Sequence, residues 1–261
     1  MDVLAWENCN SLLKGKILSG KNQRYESSMV RKTRLCARRF GRGRDGPVGM
    51  PYPRVIPHSD GAGMVDAVGP GVPREWIGRR VWCYGAQTYR PFGTAAEYTA
   101  VPLQQVVPLP ETVSFEQGAC LGIPGITAHR CVHVAGSVDG RIVLVQGGAG
   151  AVGACAVQLA HRAGARVLAT CRSESDIEVA LRAGADTVFL ADPSLAERIR
   201  ELASEGVDHI VEVAFAANVN VDVQVLAQGG SIATYATNAS ETEIPFLGTR
   251  VCEPPSLLCR E

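Results

Sequence analysis

The sequence lacks the features by which several protein classes are recognised. No apolar run approaches the roughly 18–20 residues that span a bilayer, and Lys14 and Lys16 interrupt residues 11–20, so no signal-peptide core is present. The nine cysteines include no Cys-x-x-Cys pair, which excludes zinc-ribbon and thioredoxin-type motifs. Because Cys155 and Cys171 lie in apolar segments, we interpret the cysteines as reduced thiols of an intracellular, cytoplasmic protein.

Net charge is absent as well, since 26 basic side chains balance 26 acidic ones. The balance hides an asymmetry: residues 1–50 carry eleven basic against four acidic side chains, which leaves 15 against 22 elsewhere. A neutral-to-acidic body gives no electrostatic case for nucleic acid, and we expect neither nucleic acid nor a membrane as partner. We expect residues 1–50 to be a flexible basic leader. A mitochondrial presequence is the alternative, although no clean amphipathic face is found.

Beyond the leader, the composition and the pattern of apolar residues change twice along the sequence. Residues 51–115 are rich in glycine, proline and short β-type runs such as Met64–Val68 and Arg80–Cys83, which predicts a small antiparallel, barrel-like domain. Residues 116–250 alternate β-type runs with amphipathic helices, which predicts a parallel sheet covered by helices on both faces. Residues 251–261 show no period, and we expect an unstructured tail.

A glycine-rich turn separates the first strand and the first long helix of this parallel region. The β-type run Arg141–Gln146 leads into Gly147–Gly153, and an amphipathic helix follows. Such glycines permit a tight turn, close approach to a pyrophosphate, and close packing of helix on strand. The amides at the helix N-terminus then face the phosphates. The sequence therefore predicts a Rossmann unit with the cofactor-binding residues Gly147, Gly150, Ala151, Val152 and Gly153.

The end of the second strand of this unit favours NADP(H) over NAD(H). An NAD enzyme usually has an acidic residue there to bind the ribose 2′-hydroxyl, whereas this chain has Arg172 and Ser173, which can bind a 2′-phosphate. Glu174 and Asp176 follow directly and oppose this interpretation. Arg172 could equally be a solvated surface charge.

Five segments follow one another along the chain: Pro57–Gly63, Phe92–Tyr98, Gly122–Ala128, Gly147–Gly153 and Ala217–Asn220. Their order resembles a known family, the quinone oxidoreductase (zeta-crystallin-like) branch of the medium-chain dehydrogenase/reductases, and the resemblance covers about residues 50–246. It implies an α/β fold, with a partial GroES-like β domain and a truncated Rossmann doubly wound parallel sheet, and a cleft between the two domains.

The resemblance also implies a function. It implies hydride transfer from NADPH to quinones or other conjugated carbonyls without a metal, a small-molecule substrate, and a homo-oligomer. By position in the family, four more residues would bind the cofactor: Thr127 and Asn218 near the nicotinamide, and Tyr235 and Ala236 at a neighbouring strand end. Thr127 could instead only cap a helix, and Tyr235 could be a core residue.

The zinc-dependent branch of the same superfamily is the nearest competitor. Its signature has His and Glu where this chain has Ser59 and Asp60, and His58 falls on a glycine position. We therefore expect His58 to be a turn residue rather than a zinc ligand, and we predict no metal site.

Departures from the family pattern leave other functions open. The family often has Lys at the position of Asp176 and Tyr near Ala191, so the NADP preference depends on Arg172 and Ser173. Residues 1–50 and those after Phe246 do not match, which suggests an incomplete family member. The alternatives are therefore a remnant that binds nucleotide without turnover, and an RNA-binding relative, which only the basic leader supports.

Overall fold

A computed structural model describes residues 27–34, 52, 54–88, 90–237, 239, 241–243 and 256–257. The chain divides into two compact units, Met1–Ile123 and Pro124–Glu261. Each unit has its own sheet. Within the described residues, no helix combines the length and the apolar character that crossing a bilayer requires.

The first unit contains a five-stranded sheet in which every neighbouring pair is antiparallel. Its strands are β1 (Ser27–Arg34), β2 (Gly61–Val68), β3 (Arg80–Cys83), β4 (Tyr98–Pro102) and β5 (Val106–Pro108), in the order β4-β1-β2-β3-β5. Alternate residues are buried along β3 and β4, as expected for strands with one face on a core. Val65, Val81, Val101 and Val106 form that core with Cys83. The antiparallel β domain predicted from the glycine- and proline-rich texture is present.

Strand β1 corrects the prediction of a flexible leader at residues 1–50. Ser27–Arg34 lies between two strands, with Met29 opposite Ala67 of β2 and Ala100 of β4. The rest of the predicted leader lies outside the described residues. Only two apolar residues, Met29 and Val30, interrupt the polar run from Ser27 to Arg34, so the segment has no strand period of its own. Pairing with strands distant in sequence decides its conformation.

The predicted boundary between residues 115 and 116 is also corrected. Helix α1 (Phe115–Ala119) belongs to the first unit, because Ala119 is buried against Ala62 and Leu109. A Cβ on Gly118 would lie 2.9 Å from side-chain carbons of Leu109, so this helix packs against that segment as closely as glycine permits. The division falls after Ile123, eight residues beyond the predicted boundary at 115.

The second unit alternates helices and strands and forms one parallel sheet. Its elements are α2 (Ile126–His133), β6 (Ile142–Val145), α3 (Ala151–Arg162), β7 (Arg166–Cys171), α4 (Ile177–Arg182), β8 (Thr187–Leu190), α5 (Leu195–Leu202), β9 (Val207–Glu212), α6 (Phe215–Val225), β10 (Leu226–Thr234) and β11 (Ser256–Leu257). The strand order is β11-β10-β9-β6-β7-β8. This is the doubly wound order of a Rossmann fold, and it confirms the predicted fold class.

Successive residues of the central strand face opposite layers of this unit. Val143 and Val145 of β6 belong to a core that also contains residues of α2, α3 and α4. Leu144, between them, belongs to a second core with residues of α5 and with Val225 of α6. The period of two along a strand therefore buries β6 on both faces, which is why Arg141–Gln146 is so apolar in sequence.

Strand β11 corrects the prediction of an unstructured tail at residues 251–261. Ser256 and Leu257 pair in parallel with Ser231 and Ile232 of β10 and add the sixth strand of the sheet. A two-residue strand is too short to show an alternation of apolar and polar residues, so it is recognised only by its pairing with β10.

Candidate functional site

The glycine turn lies at the point where the strand order of the parallel sheet reverses. Strand β6 has β7 on one side and β9 on the other, and the turn follows its carboxyl end. In doubly wound sheets, ligands bind at this switch point. Gly147 has φ of +69°, a left-handed conformation that favours glycine, and the carbonyl oxygen of Gly147 accepts a hydrogen bond from the N–H of Gly150 at 2.9 Å. The turn is therefore tight and directly precedes α3.

Three glycines after Gly147 are close to different neighbours. A Cβ on Gly148 would lie 2.8 Å from the Cβ of Ala169 on β7, and one on Gly153 would lie 2.1 Å from the carbonyl oxygen of Gly147. These two positions need glycine for internal packing. Gly150 is exposed, and a Cβ there would meet only the Gly147 carbonyl oxygen, at 3.3 Å. Its outer side is open to a ligand.

The first turn of α3 offers donors to an anion. The first N–H groups of a helix have no partner inside it, and here they belong to Ala151, Val152 and Gly153. The N-cap, Gly150, has no side chain to cap them, and the first turn contains no acidic residue. Amides and helix dipole thus favour negative charge next to an exposed glycine, and these residues fit the pyrophosphate of a dinucleotide.

At the carboxyl end of β7, the residues predicted to select NADP(H) are both exposed. Arg172 has no hydrogen-bond or ion-pair partner that the structure records among the residues it describes. The Ser173 hydroxyl donates to Oδ2 of Asp176 at 2.8 Å and lies 2.9 Å from the Ser175 hydroxyl. The site thus has one unpaired cation and, close by, a carboxylate that would repel a phosphate.

Two of the four further residues assigned to the cofactor, Asn218 and Tyr235, bond to Glu212, the last residue of β9. The Glu212 carbonyl accepts from the N–H of Tyr235 at 3.1 Å. The Nδ2 of Asn218 donates to both carboxylate oxygens of Glu212, at 3.0 and 3.2 Å. Ala236 accepts from the N–H of Phe215 at the start of α6, at 3.3 Å. Thr127 lies on a different element, in the first turn of α2, and is half-buried.

Beside these residues is a pair of buried acidic side chains that the sequence analysis missed. Glu212 and Asp222 are both fully buried. Glu212 Oε1 accepts from the N–H of Ala214 and from Asn218. Oδ1 of Asp222 accepts from Nε2 of Gln146 at 2.7 Å. Burial and the neighbouring Glu212 charge raise the pKa of Asp222 well above its ordinary value, and we expect its protonated form to be favoured at neutral pH.

Gln146 connects this acidic pair to the glycine turn. Its Oε1 accepts from the Thr170 hydroxyl at 2.6 Å, and Oγ1 of Thr170 in turn accepts from the N–H of Gly147 at 3.1 Å. The Thr170 carbonyl accepts from the N–H of Gly148 at 2.9 Å. The sequence contained no signal for this network, because Asp222 is one of several polar residues that alternate with valines between Asn218 and Val225.

In the first unit, the segment compared above with the zinc signature is an irregular stretch that leads into β2. His58 has a left-handed φ of 75°, and its carbonyl accepts from the N–H of Thr94 at 2.9 Å. The Ser59 carbonyl accepts from the N–H of Ala86 at 2.8 Å. Burial raises the pKa of Asp60 to about 6, although backbone N–H groups of Ile123 and Gly85 oppose the shift. Within the described residues, no three His, Cys, Asp or Glu side chains are grouped to hold a metal.

Comparison with known proteins agrees with this geometry. The alcohol dehydrogenase GroES-like domain model matches residues 29–111, and the zinc-binding dehydrogenase model matches residues 151–255. Quinone oxidoreductase of Rattus norvegicus is 37% identical over 188 residues, which are 70% of this chain and 54% of that protein. The chain belongs to the quinone oxidoreductase branch of the medium-chain dehydrogenase/reductases.

Solved structures of this superfamily share the fold but differ in cofactor. A mycobacterial protein in complex with NADPH is 25% identical, with a TM-score of 0.70, over 87% of this chain and 71% of that one. An NAD-dependent alcohol dehydrogenase is 27% identical, with a TM-score of 0.72, over 88% of this chain and 76% of that one. The chain spans about half the length of the curated relatives it matches.

Proposed function

We propose that the chain is an NADPH-dependent oxidoreductase that transfers a hydride to quinones or other conjugated carbonyls without a metal. The observation that carries the proposal is the 37% identity to a quinone oxidoreductase across a region that includes the open glycine turn. The turn supplies a cofactor site, and the relative supplies the substrate class.

The pyrophosphate half of the cofactor would bind at the start of α3. The open side of Gly150 would let the phosphates approach the backbone, and the free amides of Ala151, Val152 and Gly153 would donate to them. No acidic side chain in that turn opposes the phosphates.

The preference for NADPH would come from Arg172. An exposed guanidinium that has no partner among the described residues can form a charge-assisted hydrogen bond to a 2′-phosphate at little cost in displaced contacts. Ser173 would add a hydroxyl, but it would first have to turn from Asp176. Because Asp176 opposes the phosphate, we expect the preference for NADPH over NADH to be modest.

The nicotinamide half would lie near Thr127, Asn218, Tyr235 and Ala236. When bound, the nicotinamide ring supplies the hydride. The residues of the chain would orient the ring and exclude water from it. Since Asn218 is fixed by Glu212 and Tyr235 donates its N–H to the same residue, this end of the site is already ordered by the protein.

A titration of the purified chain with NADPH and with NADH, followed by thermal shift, tests the cofactor assignment. We expect saturable stabilisation by both and tighter binding of NADPH. Turnover is then measured by loss of NADPH absorbance with a panel of quinones and enones, and we expect oxidation with at least one. Absence of NADPH binding would refute the proposal, and binding without turnover across the panel would refute the catalytic part alone.

Replacing Arg172 by Ala tests its role in selecting the nucleotide. Arg172→Ala should weaken NADPH about tenfold, as expected for loss of one charge-assisted contact of about 1.5 kcal/mol, and leave NADH nearly unchanged. Arg162→Ala, which removes an exposed arginine at the opposite end of α3, is the matched control and should change neither affinity. Equal weakening of both cofactors by Arg172→Ala would contradict the 2′-phosphate role.

A further inference from the structure

The hydrogen bonds between the glycine turn and α6 run in one direction. The N–H of Gly147 can only donate, so Oγ1 of Thr170 must accept from it. The single hydroxyl proton of Thr170 then goes to Oε1 of Gln146, which places the amide nitrogen of Gln146 toward Oδ1 of Asp222. Each step fixes the next, and the chain ends on a carboxyl oxygen that accepts in either protonation state.

Every side chain in this relay is buried. Gln146, Thr170 and Asp222 are exposed by no more than 4%. A group in the middle of such a chain that loses its partner keeps an unsatisfied polar atom away from water, which is costly. We therefore expect the hydrogen bonds of the relay to be either all formed or broken together, with no stable arrangement in which only some are formed.

The relay joins the turn that would bind the pyrophosphate to the helix that would lie near the nicotinamide half of the cofactor. At one end, Thr170 holds the first two amides of the turn, those of Gly147 and Gly148. At the other end, Asp222 lies on α6, whose first turn carries Asn218. The neighbouring carboxylate is Glu212, which holds Asn218.

We propose that Thr170, Gln146 and Asp222 are positioning residues for the cofactor, and that their relay holds the glycine turn in the conformation that binds pyrophosphate. The inference rests on the proposed function, since it names residues that act on the same site. None of the three side chains needs to touch the cofactor. They act through the N–H of Gly147, which the Thr170 hydroxyl holds.

The test compares two substitutions at Thr170 in the full chain. Thr170→Val keeps the volume and β-branching but removes the acceptor for Gly147 and the donor to Gln146, so we expect NADPH to bind about tenfold more weakly. Thr170→Ser keeps the hydroxyl and should stay within about threefold of the unmodified chain. In the cofactor-free protein, amide exchange at Gly147 should be about tenfold faster in Thr170→Val than in Thr170→Ser.

A second pair of variants keeps the test decisive should Thr170→Val fail to fold. Gln146→Met fills a similar volume without a polar group and should weaken NADPH about tenfold. Asp222→Asn preserves an acceptor for Gln146, and this conservative replacement should retain the affinity. Thr99→Val is the matched control for loss of a buried hydroxyl, because Oγ1 of Thr99 has no hydrogen-bond partner among the described residues, and it should leave NADPH affinity unchanged.

The outcomes separate the relay from the proposed function. If the unmodified chain binds neither NADPH nor NADH, the proposed function fails and the relay fails with it. If the unmodified chain binds NADPH and either Thr170→Val or Gln146→Met, once folded, binds it equally well, the relay alone is overturned. The relay is also overturned if Thr99→Val weakens NADPH binding as much as Thr170→Val does. The effect would then follow from lower stability rather than from a change in the glycine turn.

Discussion

Gly150 and Gly153 lie three residues apart, yet the structure gives them different neighbours. Gly150 faces outward with one backbone oxygen near its virtual Cβ, whereas the virtual Cβ of Gly153 is 2.1 Å from the Gly147 carbonyl oxygen. A methyl group at the first position therefore requires only a small shift of that oxygen, whereas at the second it would collide with the backbone. Gly150 leaves room for the ligand, and Gly153 allows α3 to pack closely on the turn.

Alanine at these two glycines should separate binding from folding. Gly150→Ala should leave the melting temperature nearly unchanged and weaken NADPH at least tenfold, because the new methyl group occupies the approach of the pyrophosphate. Gly153→Ala should cost about 1–3 kcal/mol of stability, as overpacking does, and weaken NADPH as a consequence. Urea unfolding and cofactor titration measure the two effects. Tight NADPH binding by Gly150→Ala would show that the phosphates do not approach this residue.

Asp222 makes the stability of the protein depend on pH. Its pKa is near 3.8 in an unfolded chain and raised in the folded one by burial and by Glu212. Between these two pKa values the folded state binds a proton that the unfolded state does not. The free energy of unfolding therefore falls as pH rises through this window.

Asp222→Asn removes this dependence, because asparagine does not titrate. From pH 5 to pH 8, the free energy of unfolding of the variant should exceed that of the unmodified chain by a growing margin, up to about 1.4 kcal/mol per pH unit. The raised pKa of Asp60 contributes equally to both proteins and cancels in the difference. Urea unfolding at a series of pH values measures the margin, and a margin independent of pH would mean that Asp222 is ionised in the folded protein.

At the scale of elements, α1 shows how a five-residue helix is held in place. Ser114 accepts from the N–H of Gln117 at 3.2 Å, and Gln117 Oε1 accepts from the N–H of Ser114 at 2.9 Å, which is a capping box. The Arg80 guanidinium of β3 lies 4.2 Å from the ring centre of Phe115, the first residue of the helix. A helix this short depends on its cap and its packing, since few internal hydrogen bonds form.

The cap can be removed without touching the core. Ser114→Ala should lower the stability of the first unit by about 1 kcal/mol, and Ser114→Thr, which can still cap, should lower it by less. Trp76 and Trp82 lie in the first unit, so tryptophan fluorescence during urea unfolding follows the change. An Ala variant as stable as the Thr variant would mean that the packing of Phe115 and Ala119 alone holds α1.

The elements found from sequence are those whose pattern is local. The run Arg141–Gln146 predicts β6 because a strand buried on both faces is continuously apolar, and Gly147–Gly153 predicts the turn because its glycines are contiguous. Strands β1 and β11 have no pattern of their own and exist through their partners. Nothing local marks them.

The same distinction explains which parts of the candidate site were missed. The relay joins Gln146 to Thr170, 24 residues away, and to Asp222, 76 residues away. The strand order of the sheet decides which polar residues meet inside the unit, and that order cannot be read from the sequence alone. The cofactor roles of Thr127 and Tyr235 remain predictions.

At the scale of the whole molecule, the two units differ in their optical reporters. Two of the three tryptophans, Trp76 and Trp82, lie in the first unit, and the third, Trp6, is outside the described residues, whereas α2 to α6 belong to the second unit. Fluorescence therefore follows the unfolding of one unit, and circular dichroism at helical wavelengths follows mainly the other. Proteins of two compact units often depart from two-state unfolding.

Cofactor binding should stabilise the second unit specifically. At NADP⁺ concentrations about 100 times its dissociation constant, the free energy of unfolding of that unit should rise by about 2.7 kcal/mol, and the transition seen by circular dichroism should move accordingly. The tryptophan-detected transition should move less. Two transitions that coincide and shift together would instead mean that both units unfold as one cooperative body.

The buried acidic pair has a further consequence that electrophoresis can detect. The sequence has 26 basic and 26 acidic side chains, but we expect the folded protein to keep one proton on Asp222 at neutral pH. Asp222→Asn therefore removes a charge that the folded molecule does not carry. On native isoelectric focusing the two proteins should migrate together, whereas in urea the variant should focus at a higher pH, displaced by one elementary charge.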